Sequence, residues 1–154
     1  MNTRTRGIVI AAVAVLAVLV VGGALTINSR AAARTSPEGV NPLTQIKNEN
    51  AVTVEVTPLN ITGSGSTLDF RVALNTHSGD LNYDVTKVVV LRDSRNNEYA
   101  PTGWDGSSGG HHVEDILKFD GRADILKPGV TSLSLELKGI AQVPSRQFQW
   151  NVGQ

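Results

Sequence analysis

The sequence predicts an all-β fold, an immunoglobulin-like antiparallel β-sandwich, preceded by a single N-terminal transmembrane helix. Three observations carry this expectation. Residues 8–27 read IVIAAVAVLAVLVVGGALTI and hold no charge, proline or amide. Residues 28–50 have no sustained period. From Ala51 onward, apolar residues recur at every second position, the repeat of a half-buried strand.

The apolar run comes first. At about 1.5 Å of rise per residue, twenty helical residues cover roughly 30 Å, the thickness of a bilayer's hydrocarbon core. Arg4 and Arg6 make residues 1–7 a positive flank, which stays on the cytoplasmic side and places the rest of the chain outside. Small residues at Gly22-Gly23-Ala24 and Ala31-Ala32-Ala33 offer cleavage sites, which would make the run a signal peptide and the product secreted. Its length exceeds the roughly 7–15 residues of an ordinary signal core, which favours a retained single-pass anchor in the cell membrane, in contact with lipid through residues 8–27. Residues 28–50 carry Pro37, Gly39, Pro42 and several amides, and read as a tether.

The domain is then 51–154. Val52, Val54 and Val56 alternate with polar residues until Pro58, and Leu68, Phe70, Val72 and Leu74 do the same after the flexible connection Gly63–Ser66. Asp84–Arg92 is a β-branched run, and Asp93–Asn97 is turn chemistry before a short strand at Glu98–Ala100. A glycine-rich loop, 101–110, leads to a strand at Ile116–Phe119. Lys127-Pro128-Gly129 suits a type II turn. Leu133, Leu135 and Leu137 alternate, as do Phe148, Trp150 and Val152, which close the chain. About seven strands with turns every 8–12 residues or so describe the sandwich.

Composition narrows the function. All 14 acidic residues lie beyond Thr35 and face 10 of the 14 basic ones, a net charge of −4 for that part of the chain. A mildly acidic domain lacks the electrostatic footprint that phosphate backbones require, so nucleic acid is excluded as a partner. Cysteine is absent, which removes disulfides, thiolate metal sites and a thiol nucleophile.

All three histidines fall in two segments. One is Thr76-His77-Ser78-Gly79-Asp80-Leu81; the other runs from Gly103 through Trp104, Asp105 and Gly106 to Gly109-Gly110-His111-His112. Imidazole with a carboxylate suits Zn²⁺ or Cu²⁺, so His77, His111, His112 and Asp80 are the candidate metal ligands. Adjacent histidines on an extended segment leave opposite faces, so one of the pair would join His77. The plainer reading, which outweighs it, has the histidines fixing loop backbones. Trp104, with Asp105 beside it, is the candidate contact for a ligand or partner, although an indole on such a loop more often folds back as a lid. Asn60-Ile61-Thr62 matches a glycosylation sequon. Catalysis has no support: there is no GxSxG elbow, no HExxH and no phosphate-cradling loop, and Ser78 and His77 are neighbours that point apart.

The THSxDL segment, the Val90-Leu91-Arg92-Asp93 turn and the W-x-G loop ending in GGHH resemble a group of membrane-anchored or secreted prokaryotic β-sandwich domains with no established activity. The resemblance spans about Val52 to Trp150 and implies fold and compartment. The expectation is therefore a non-catalytic extracytoplasmic module that binds or supports an envelope or membrane protein. The alternatives are a Zn²⁺ or Cu²⁺ binding domain and an accessory subunit of a membrane complex packed through residues 8–27.

Overall fold

The computed structural model describes residues 41–153. The segment 1–7, the apolar run 8–27 and the tether as far as residue 40 lie outside the described residues. Among the described residues no helix is long and apolar enough to cross a membrane.

Nine strands make up the described fold: β1 (Gln45–Glu49), β2 (Val52–Pro58), β3 (Thr67–Thr76), β4 (Val89–Asp93), β5 (Glu98–Tyr99), β6 (Gly103–Trp104), β7 (His112–Asp120), β8 (Ser132–Lys138) and β9 (Ser145–Asn151). They form two antiparallel sheets, ordered β1-β2-β3-β7-β6 and β5-β4-β8-β9, which pack as a sandwich. Alternation explains the core. Val52, Val54 and Val56, Leu68, Phe70, Val72 and Leu74, Leu133, Leu135 and Leu137, and Phe148 with Trp150 are all buried between the sheets. Phe70 is the hub: its ring meets Phe119 edge-on at 5.8 Å and Trp150 at 5.3 Å.

Three elements depart from the sequence reading. The tether expected to reach residue 50 ends sooner, because Gln45–Glu49 is β1, paired in register with Val52–Val56. Its polar composition hid it, since the strand lies at a sheet edge and presents no apolar face; Ile46 is 59% exposed. The β-branched run at Asp84 opens as a single helical turn, α1 (Val85–Val88), because the Asp84 carboxylate accepts from the Thr86 amide at 3.2 Å and hydroxyl at 2.6 Å. This cap outweighs the local β preference for four residues. The strand expected at Ile116–Phe119 lengthens to His112–Asp120, since the whole of it pairs with β3. A further single turn, α2 (Arg122–Ile125), follows β7.

Besides its pairing with β2, β1 is held by contact with β9, the edge strand of the opposite sheet. The Trp150 indole donates to the Leu43 carbonyl at 2.7 Å. The Gln45 side-chain amide donates to the Gln149 carbonyl at 2.6 Å and accepts from the Gln149 N–H at 3.3 Å, acting as a short strand would. The Lys47 ammonium lies 5.8 Å from the Phe148 ring centre. Arg146, fully buried, donates from Nη2 to the Glu49 carbonyl at 2.8 Å and from Nη1 to the Ile140 carbonyl at 2.7 Å. Side-chain bonds therefore close one side of the sandwich where no strand pairing joins the sheets.

The other side is managed differently. β6 pairs with β7 only at Leu117 and Lys118, so among the described residues the stretch 112–116 has β3 on one side and no strand on the other. Asp115 falls in the alternation that turns Val113, Leu117 and Phe119 inward, and its carboxylate accepts from the Ile116 N–H at 2.6 Å. A charge turned inward at an edge discourages pairing with another chain. Asp115→Val should keep the fold and add a concentration-dependent association that the parent chain lacks, read by sedimentation velocity; identical sedimentation of the two at high concentration would count against this role.

Candidate functional site

The loop after β3 and the loop before β7 meet at one end of the sandwich, beyond the Asn75–His112 pair. Thr76 and Leu81 bracket the first loop and are both buried, whereas His77, Ser78, Gly79 and Asp80 are exposed. The Thr76 hydroxyl accepts from the Ser78 N–H at 3.1 Å and lies 2.9 Å from the Ala51 carbonyl, which folds the turn onto the β1–β2 connection.

Main-chain bonds lock the two loops together. The Thr76 N–H donates to the His111 carbonyl at 2.9 Å. The Leu81 N–H donates to the Gly110 carbonyl at 2.9 Å, and the Gly109 N–H to the Leu81 carbonyl at 3.1 Å. Asp80 accepts from the Gly110 N–H. Gly110 sits at φ +89°, in the left-handed region that a side chain disfavours. The segments that stood apart in the sequence are thus two halves of one rigid platform.

Each candidate residue has a defined place. His112 is exposed on β7, and its Nδ1 lies 2.7 Å from the Asn75 amide oxygen across the strand pair. His77 and His111 are exposed. Trp104 is half-buried in β6 and packs against the core, and Gly106 crosses so close to the indole that a Cβ there would collide with it. The tryptophan therefore covers the sheet edge beside β7, where a lid over the end of the sandwich was expected. Asp105 lies 3.5 Å from the Lys118 ammonium, in an exposed pair of small energetic weight.

The expectation of a Zn²⁺ or Cu²⁺ site does not find its ligands assembled. Among the described residues no three of His, Asp or Glu are grouped to hold a metal ion. Asp80 is engaged by a backbone amide and His112 by Asn75, so His77 and His111 are left without the carboxylate the sequence offered them. The sequon is also structural. The Asn60 side chain donates to the Thr67 carbonyl at 2.9 Å and accepts from the Asp69 N–H at 2.9 Å, which shapes the β2–β3 loop.

Among the described residues, the carboxyls of Asp84, Asp93 and Glu136 are held below their ordinary values. Burial pushes the Asp93 carboxyl up, but bonds from the Asn97 side chain and amide, the Arg95 amide and the Tyr99 hydroxyl outweigh it and hold the group at about 2. Glu136 is held below the usual carboxylate range by Ser145 and Arg92, against the opposing effect of burial. Arg92 also pairs with Glu98 at 2.7 Å. Asp93 and Glu136 both organise turns and sheet faces through these bonds. Because the folded value for Asp93 lies below the ordinary 3.8, its contribution is complete above about pH 5 and is lost as pH falls toward 2. Asp93→Asn should cost about 1–2 kcal/mol at pH 7 and flatten the acid limb of a urea-stability profile between pH 5 and 2. An unchanged limb would assign the acid sensitivity to other carboxylates.

Sequence reasoning missed Arg146. The signal was available, since Arg146 shares the parity of Phe148 and Trp150 and so had to face inward. It also missed a hollow at the other end of the sandwich, lined by loops that share no motif.

The fold and site define a class: a two-sheeted antiparallel β-sandwich that presents a rigid loop pair at one end. No family model matches the chain, and no curated protein matches it. Among solved structures it is similar to MPT63, a secreted protein from Mycobacterium tuberculosis, with a TM-score of 0.36 and 12% identity over 59% of this chain and 82% of that one. A likeness of that size carries no function across.

Proposed function

We propose that this chain is a membrane-tethered, non-catalytic extracytoplasmic module of immunoglobulin-like architecture whose loop platform binds or supports another protein of the cell envelope. The observation that carries this reading is the platform: its backbone is pinned by hydrogen bonds between the loops, while His77, Ser78, Ser107, Ser108 and His111 stay exposed. A surface that is already ordered loses little entropy when a partner docks.

Two further points support it. Setting β1 and β5 aside, the order β2-β3-β7-β6 facing β4-β8-β9 follows the ABED and CFG sheets of constant-type immunoglobulin domains. The described chain begins beside Leu43 and Trp150, whereas the platform lies past Glu49, Val52 and Thr76 at the opposite end.

The chain has no cysteine, so a single introduced thiol reports on one place. Ser78→Cys and Ser108→Cys, carrying a photo-cross-linker on the full chain in its native membranes, should capture the same envelope protein. Asp120→Cys, at the other end, should not. Asp80→Ala, which releases the Gly110 amide, should reduce capture several-fold. Capture that is equal from both ends, or absent from the platform, would overturn the reading.

A further inference from the structure

We infer that the end of the sandwich opposite the platform holds a binding site for an anionic amphiphile, of the class of a medium-chain aliphatic carboxylate. Two adjoining hollows of about 300 and 490 Å³ open there and share Ile61, Thr62, Val152 and Gly153 as walls. Their size falls within the roughly 300–1,000 Å³ of small-molecule sites.

The walls are fixed. Val152 N–H donates to the Thr131 carbonyl at 2.9 Å, and Arg95 donates to the Pro128 carbonyl at 2.8 Å, holding the turn between α2 and β8. Arg122 donates from Nε to the Asn60 carbonyl at 3.1 Å, which sets its guanidinium against the β2–β3 loop.

The charge of the lining selects the ligand. Arg122 and Lys127 are both half-buried and line the first hollow, and neither has an acidic partner within salt-bridge distance among the described residues. Among the described residues, no carboxylate side chain lines either hollow. Uncompensated cations beside Ile61, Leu126, Val130 and Val152 fit a ligand with one negative head and an aliphatic tail. An anion alone would leave the apolar wall wet, and a neutral hydrocarbon would leave two charges without a counter-ion, Arg122 bonded only to the Asn60 and Ile61 carbonyls. The site is independent of the platform and of any protein partner.

The probe is dodecanoate, added to isotope-labelled full chain in phosphatidylcholine nanodiscs and followed by amide NMR. The expected result is saturable shifts confined to Thr62, Lys127, Val152 and Gly153, with His77 and His111 unmoved. The Lys127 carbonyl accepts from the Val130 N–H, a main-chain bond that a substitution keeps, and its side chain makes no hydrogen bond or ion pair among the described residues, so Lys127→Gln should keep the spectrum and weaken binding about tenfold, the effect of one charge-assisted contact. Thr62→Trp should fill the hollow and abolish it. Dodecanol should bind at least about tenfold more weakly than dodecanoate. Equal binding of the alcohol, an unchanged affinity in Lys127→Gln, or shifts spread over the whole surface would each overturn the site.

Discussion

Arg146→Ala should destabilise the domain by about 3–5 kcal/mol in urea unfolding, the scale for removing one partner from a buried charged network. The side chain is fully buried, with two carbonyls as hydrogen-bond acceptors and the Glu49 carboxylate 3.6 Å from Nε. Nε itself makes no hydrogen bond. Truncation therefore leaves the Ile140 and Glu49 carbonyls without donors and opens a cavity beside Leu137, which faces Arg146 across the β8–β9 pair. Arg146→Lys keeps the charge but presents a point donor that reaches one carbonyl, so its loss should be smaller. Amide exchange should accelerate first in β1, because Nη2 is what fastens the end of that strand. A loss below about 1 kcal/mol for the alanine variant would mean that water replaces the guanidinium freely, and that the buried charge is not what closes the sandwich.

A fragment beginning at Ala51 should melt at least about 15 °C below one beginning at Asn41, on the scale of roughly 4 °C per kcal/mol for a domain of this size. The shorter fragment is the one the alternation in the sequence recommends, and it lacks β1. Five residue pairs with β2 go, together with the Leu43 carbonyl that Trp150 bonds, the Gln45 amide that caps Gln149 and the Glu49 carbonyl that Arg146 bonds. Trp150 packs on Phe70, so the damage reaches the centre of the core. Differential scanning calorimetry of the two fragments decides the matter; equal melting temperatures would show that β1 is an ornament on the sheet.

Much of the sandwich was legible because its strands are buried on one face only. β2, β3, β8 and β9 alternate, and alternation is visible without neighbours. Polar edge strands give no such signal. β1 pairs with β2 and is fastened further by Arg146, Gln149 and Trp150, a hundred residues away, which bond the Glu49 carbonyl, the Gln45 side chain and the Leu43 carbonyl. α1 shows the opposite failure: Asp84-Val85-Thr86 reads as strand by composition, but the Asp84 cap depends on a backbone conformation that only the packed chain imposes. For the site, the sequence picked out two loops that the structure joins, but not the bonds that join them. Histidine and aspartate in the same two segments suggested a metal, whereas Asp80 and Gly110 had to be seen together to show that the carboxylate serves the backbone.

By itself the sequence determined an alternating two-sheet core, a turn-rich surface without cysteine chemistry and the two segments that form the platform, since each depends on local spacing and residue type. Only the tertiary structure decided that β1 belongs to the domain, that a guanidinium closes it, and that Arg122 and Lys127 share a hollow. Those arrangements bring together residues far apart in the chain, and the free energy of such contacts depends on geometry that no local pattern encodes.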